Sequence, residues 1–311
     1  MSYIKPLFPF IVGFIILTLT GTLAEISFIN GVIQLVLFGL IVHYPIWKTE
    51  TLSYVDIGWP WGLVCIGLVT LLLGKGYHWR VWLISGLYIF MGLRMGIGAI
   101  QLWRKGYIQK ELPRYKYQRT RWERKGKNNT QLAMQIDALV QGLANVSYLA
   151  LPAFIIGFNP SPDFSIFEIV GLVVWIASFA FETIADRQKL KFLRQMKAEK
   201  KRNKVCDVGL WQYTRHPNYF AEWMVWNSLI IIAIPSWFAI KSSEPLTIWI
   251  LLGLGLLFVS MIMYNTLVYL TGAKPSEYFS LQKRPDYESY TKRVNMFFPG
   301  FPKKNNRTSD I

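Results

Sequence analysis

Apolar residues run along the chain in eight blocks, near 7–24, 27–47, 55–74, 79–101, 132–158, 164–185, 218–240 and 246–271. Each approaches or exceeds the roughly 20 residues that an α-helix needs to cross hydrocarbon. A helix on a soluble protein shows one apolar stripe and a polar opposite face. Leu251 to Met263 is instead apolar all round, interrupted only by Ser260 and glycines. Turn residues separate the blocks at Lys75-Gly76, at Asn159-Pro160-Ser161-Pro162 and at Ser242-Ser243-Glu244-Pro245. The pattern predicts an all-α polytopic transmembrane bundle of about seven or eight helices, at most about ten, forming a single membrane domain. The first block lacks a small-residue cleavage site around Gly21 to Glu25. It therefore reads as a retained helix rather than a secretory leader.

Charge orients this bundle. The chain has 34 Lys and Arg against 18 Asp and Glu, a formal charge of +16. By itself that surplus admits nucleic acid or an anionic membrane surface as partner. Residues 102–131, 186–217 and 273–311 hold 28 of the 34 basic residues. Eight crossings place those three segments on one side, so the positive-inside rule predicts that both termini and the long loops are cytoplasmic. Nucleic acid is not expected, because no recognised binding module accompanies the charge. A bacterial inner membrane is expected rather than the endoplasmic reticulum. Two cysteines, Cys65 and Cys206, are too few for a disulfide framework.

Polar side chains inside apolar helices cost free energy and usually face the bundle interior or a cavity. Asn30 and Gln34 lie four apart; so do Asp137, Gln141 and Asn145, Glu182 and Asp186, and Asn218 and Glu222. Interhelical hydrogen bonding is one reading of each pair, and a buried polar site is the other. The three histidines, His43, His78 and His216, are too scattered for a metal site. Neither a P-loop nor a complete G-x-G-x-x-G is present, so a nucleotide would be held by other means.

From Gly209 to Trp226 the chain reads Gly-Leu-Trp-Gln-Tyr-Thr-Arg-His-Pro-Asn-Tyr-Phe-Ala-Glu-Trp-Met-Val-Trp. This closely resembles the signature of the steroid 5α-reductase-like membrane proteins, including a large bacterial branch mostly without assigned function. The likeness extends upstream through Phe181-Glu182-x3-Asp186-x-Gln188-Lys189 and downstream through Pro285-Asp286-Tyr287-x2-Tyr290. A looser match covers Ser53-x2-Asp56-x2-Trp59, Arg94 and Pro113-Arg114-Tyr115.

The resemblance implies an NADPH-dependent reductase acting on an activated C=C bond of a lipid-soluble, steroid-, sterol- or isoprenoid-like substrate. Residues 1–101 would form the substrate pocket, 132–300 the cofactor-binding half, and 301–311 a polar tail. Asn218, Glu222 and Asp186 match cofactor-contacting positions. Lys189, Arg215, His216, Tyr219 and Lys204 are further candidates by their place in the motif, with Arg114, Tyr278 and Tyr287 beside them. Arg and Lys suit the phosphates of the cofactor, and an Asn carboxamide suits its amide or ribose hydroxyls. At the substrate end the family's glutamate and tyrosine are replaced. Asp56 stands at about the glutamate's distance from Arg94, and Tyr88 is the nearest upstream tyrosine. Asp56, if protonated, could donate to a substrate carbonyl; an Asp56–Arg94 ion pair is the competing reading. Two other functions stay open. One is an S-adenosylmethionine-dependent methyltransferase of the isoprenylcysteine carboxyl methyltransferase type, which shares the Arg-His-Pro core. The other is a non-catalytic transport or lipid-binding protein lined by Asp137, Gln141 and Asn145. The partners expected are a hydrophobic small molecule and membrane lipid.

Overall fold

In the computed structural model, which describes residues 3–303, the chain is helical throughout, with no strand among those residues. In chain order the helices are α1 (Phe8–Thr18), α2 (Ala24–Phe38), α3 (Tyr44–Thr49), α4 (Val55–Leu73), α5 (His78–Arg104), α6 (Pro113–Arg124), α7 (Thr130–Val146), α8 (Leu151–Gly157), α9 (Ile166–Ala198), α10 (Pro217–Ala239), α11 (Leu246–Asn265), α12 (Ala273–Lys283) and α13 (Tyr287–Arg293). Short turns join several of them end to end. Among the described residues, seven stretches are long and apolar enough to cross a membrane: Ala24–Thr49, Leu52–Leu73, His78–Arg104, Thr130–Gly157, Ile166–Ala198, Pro217–Ser242 and Leu246–Lys283. The chain is a polytopic helical membrane protein. The expected polar tail at 301–311 lies, from residue 304 on, outside the described residues.

The block at 7–24 departs from the expected full-length crossing. Its apolar helix spans only Lys5–Thr18. The Thr18 hydroxyl donates to the Ile15 carbonyl at 2.9 Å, and the Thr20 hydroxyl to Leu17 at 2.8 Å. Thr20 Oγ1 in turn accepts the Leu23 amide, and the amides of Gly21 and Thr22 donate to the Glu244 carboxylate at 2.9 and 2.8 Å. A carboxylate and a hydroxyl thus satisfy the amides of residues 21–23 without helix, and the apolar block is broken there.

Two compact units make up the chain: Met1–Gly171 with Leu229–Ser260, and Leu172–Ser228 with Met261–Ile311. In the first, α4 and α5 form the most extensive helix pair. Their backbones approach closely at Gly92, where a Cβ would come within 2.6 Å of the Pro60 carbonyl. Helices α2, α4 and α7 meet around buried amides. Asn30 Nδ2 donates to the Asn145 carbonyl at 3.1 Å, Gln34 Nε2 to the Gly62 carbonyl at 2.8 Å, and Asn145 Nδ2 to the Trp59 carbonyl at 3.1 Å. The polar pair on α2 and the last residue of the α7 stripe therefore serve as interhelical hydrogen bonds.

At the N-terminal end of α9, Arg80 and Glu168 form a buried ion pair, Nε to Oε1 at 2.6 Å and Nη2 to Oε2 at 3.0 Å. The same guanidinium donates to the carbonyls of Ser161 and Asp163, tying down the Asn-Pro-Ser-Pro turn. In the second unit, the later turns of α9 and the start of α10 carry the long motif, with α12, α13 and the segment to Lys303 packed around it.

Candidate functional site

Gly209 opens the motif with a left-handed backbone, φ +55°. A Cβ there would also meet the Gln188 side chain at 2.5 Å, so only glycine fits. Gln188 Oε1 accepts the Leu210 amide at 2.8 Å, and the buried Trp211 indole donates to the Ala185 carbonyl at 2.9 Å. These bonds dock the turn Gly209–Gln212 on α9. Lys189 places its ammonium 4.2 Å from the Trp211 ring centre, a cation–π contact.

The next three residues are stitched to the chain's end. The Arg215 amide donates to the Asn295 carbonyl at 2.9 Å, the Thr214 hydroxyl to Phe297 at 2.9 Å, and the Gly300 amide to Tyr213 at 2.9 Å. Arg215 itself is buried. Its Nε and Nη2 grip both oxygens of Glu277 at 2.6 and 3.1 Å, while Nη1 donates to the carbonyls of Thr291 and Val294. His216 Nε2 lies 3.1 Å from Glu277 Oε1, and its ring stacks on Tyr219 with centroids 5.4 Å apart. Burial pushes the His216 pKa down; the hydrogen bond to Glu277 opposes that shift without reversing it.

Arg215 was a candidate donor to cofactor phosphates, but its guanidinium is committed to Glu277 and two carbonyls. It holds α12 and the chain end against the motif. Glu277 is the residue that sequence reasoning missed, although acids are scarce here and it adjoins the candidate Tyr278. Tyr287 clusters with Tyr290 and Val294 and also borders the small cavity beside His216; burial followed by the Glu277 charge pushes its hydroxyl up. The Tyr290 hydroxyl donates to the Trp211 carbonyl.

Beyond Pro217, which fits the first turn of α10, Asn218 Nδ2 donates to Asp186 Oδ1 of α9 at 3.2 Å. Asn218 Oδ1 is buried and accepts no hydrogen bond among the described residues. Glu222 follows one turn on, and Glu182 lies buried one turn before Asp186. The structure thus places Asp186 and Lys189 on the later turns of α9 and Asn218, Tyr219 and Glu222 at the start of α10, joined by the Asn218–Asp186 bond. Behind them a small cavity of about 50 Å³ is lined by Lys189, Trp211, His216, Ser280 and Arg284, among others. Cys206 also borders it, its thiol pKa pushed up mainly by burial and the thiol therefore neutral. Lys204 is exposed, 3.7 Å from Asp286.

The first unit brings together two short motifs 58 residues apart. Asp56 Oδ2 pairs with Arg114, and Asp56 Oδ1 accepts the Tyr115 hydroxyl at 2.5 Å. Ser53 Oγ accepts the Leu112 amide at 2.9 Å and donates to Glu111, which also takes Arg119 at 2.9 and 2.6 Å. Burial, and then the Asp56 charge, push the Tyr115 hydroxyl well above its ordinary pKa, so it stays a donor. Two expectations change here. The ion pair of Asp56 is made with Arg114, in place of one with Arg94. Both carboxyl oxygens of Asp56 are engaged, by Arg114 and by the Tyr115 hydroxyl, where the sequence suggested a bond to a substrate carbonyl. Arg114 accordingly belongs to the Asp56 cluster of the first unit. Tyr88 is fully buried and donates to the Leu149 carbonyl at 2.6 Å, in the break between α7 and α8. Arg94 lies half-buried on α5.

No group of three or more His, Cys, Asp or Glu side chains among the described residues is arranged to hold a metal ion. No curated protein and no solved structure matches the chain significantly. A family model described as "Protein of unknown function (DUF1295)" matches residues 46–294, from the end of α3 through α13. The match takes in both the Asp56–Arg114 cluster and the entire Gly209–Trp226 motif, and the chain belongs to that family.

Proposed function

We propose that this chain is a membrane-embedded, NADPH-dependent reductase of an activated C=C bond in a lipid-soluble substrate. One observation carries the reading: the buried, unfilled acceptor Asn218 Oδ1, fixed by the Asp186 bond at the head of a motif resembling that of steroid 5α-reductase-like enzymes. A buried acceptor left without a donor costs about 1–3 kcal/mol. A carboxamide N–H or a ribose hydroxyl would fill it. Asn218, Asp186 and Glu222 would hold the nicotinamide riboside end, and Lys189 and Lys204 would supply charge for phosphates. When bound, the cofactor would supply a hydride.

The chain's own residues then orient and seal. Arg215 and Glu277 keep α12 and the chain end closed on the motif, and neutral His216 holds the Tyr219 ring in place by stacking. At the substrate end a donor is needed for the oxygen that gains charge as an enone is reduced. By its place in the sequence motif, Arg94 is the first unit's candidate for such a donor. With seven crossings the three basic segments still fall on one side of the membrane, read as the cytosolic side where NADPH is found.

The test is a thermal-shift comparison of the purified full-length protein in detergent with NADPH, NADH and S-adenosylmethionine. A clear upward shift with NADPH and none with S-adenosylmethionine supports the reductase. A shift with S-adenosylmethionine alone, or with none of the three, overturns it.

A further inference from the structure

Where α9 ends, Lys197, Lys200, Lys201, Arg202 and Lys204 join Arg284 around an open groove of about 450 Å³. No carboxylate lines it. Lys201 is drawn to Glu199 at 2.8 Å and Lys204 faces Asp286 at 3.7 Å, but Lys197, Lys200 and Arg202 have no acidic partner among the described residues. Crowded like charges repel, and a loop free to relax would splay them into water. This loop is instead folded back on the helix. The amides of Lys200 and Lys201 donate to the carbonyls of Lys197 and Met196 at 3.2 and 2.9 Å. Lys200 and Asn203 both take left-handed backbone, φ 53° and 58°, which is costly for a lysine.

The floor of the groove is apolar, formed by Phe192, Leu193 and Met196. Exposed apolar side chains also recur along α9, at Ile166, Val173 and Ile184 on one face and at Leu190 and Leu193 further round the helix. At about 1.5 Å per residue the helix from Ile166 to Leu193 is roughly 40 Å long, the thickness of a bilayer with its headgroup layers. The groove therefore sits at the headgroup level of one leaflet.

We propose that this groove is a seat for a phosphate-bearing group, supplied by the headgroup of an acidic phospholipid whose acyl chain lies along Leu193 and Leu190. Lys204 is shared with the reductase reading, but Lys197, Lys200 and Arg202 take no part in the site near Asn218, so the two can be tested apart. The test is native mass spectrometry of the full-length protein in detergent, titrated separately with dioleoylphosphatidylglycerol, dioleoylphosphatidylcholine and inorganic pyrophosphate. The wild type is compared with the triple variant Lys197→Gln, Lys200→Gln, Arg202→Gln. The wild type should retain phosphatidylglycerol in preference to phosphatidylcholine. The triple variant should lose roughly a hundredfold in affinity, at about fivefold per basic residue near an acidic surface, with its melting midpoint unchanged. Pyrophosphate that binds more tightly than phosphatidylglycerol and displaces it overturns the lipid assignment in favour of a soluble phosphate. Equal phosphatidylglycerol binding by wild type and variant overturns the proposal. So does a triple variant that loses an NADPH response seen in the wild type, because the groove would then belong to the dinucleotide.

Discussion

Glu277 carries two buried partners, the Arg215 fork and His216, and the consequences differ for the two. Removing its charge leaves a guanidinium buried at 7% exposure with only carbonyl acceptors. Breaking a buried pair from one side typically costs about 3–5 kcal/mol. Glu277→Gln should therefore lower the melting midpoint sharply, by far more than Glu288→Gln, whose pair with Lys292 is solvent-exposed. His216 provides a pH signature. Its folded pKa is depressed, so the unfolded chain binds the proton more readily. The stability it contributes is present above its unfolded value of about 6.5 and is lost as pH falls through the folded value. Midpoints measured between about pH 5 and 8 should fall on the acid side, and His216→Asn should flatten that slope. A slope unchanged in the variant would contradict the assignment. The motif around His216 was plain in the sequence because its residues are contiguous. Glu277 was not, because its partners lie 62 and 61 residues away and nothing local marks it as paired.

At the scale of elements, the docking of α6 on the start of α4 shows how distant short motifs become one cluster. Ser53 and Asp56 share one helical turn, and Glu111, Arg114, Tyr115 and Arg119 come from the loop and helix that follow α5. Pro113 at the first position of α6 fixes the entry of that helix. Asp56→Asn keeps the shape but removes the charge that Arg114 and Tyr115 bond; hydrogen bonds to charged groups are worth about 1.5–3 kcal/mol. Hydrogen exchange should rise across 113–124 in this variant and stay unchanged across 209–216. Unchanged exchange in α6 would mean that the cluster does not hold the helix. Both motifs could be singled out along the chain, yet their pairing could not: the spacing of Asp56 from Arg94 suggested a partner, and a loop brought in Arg114 instead. The apolar pattern located the long helices well, since all-round hydrophobicity needs no tertiary context. It overran at 19–23, where Thr18 and Thr20 close back on the helix and Glu244, 222 residues away, caps two amides.

For the whole molecule, the positive charge and the apolar spans describe one topology. The loops carrying Lys105, Lys201 and Arg284 should face the same side, and those carrying Gly76 and Ser243 the other. Single cysteines placed at Gly106, Asn203 and Ser289, in a chain with Cys65 and Cys206 replaced, should react with an impermeant maleimide from the cytosolic side. Cysteines at Lys75 and Ser243 should react from outside. Reaction of Gly106 and Asn203 from opposite sides would break the alternation of spans on which the functional reading relies. The central claim is narrower: Asn218 Oδ1 is an acceptor kept open for NADPH. Titrating NADPH into the detergent-purified protein, and following its fluorescence in the wild type and Asn218→Ala, tests that claim most directly. Saturable binding in the wild type, weakened at least tenfold in Asn218→Ala with the unliganded midpoint preserved, is the predicted result. Equal NADPH affinity in both proteins, or no saturable binding in either, would contradict it.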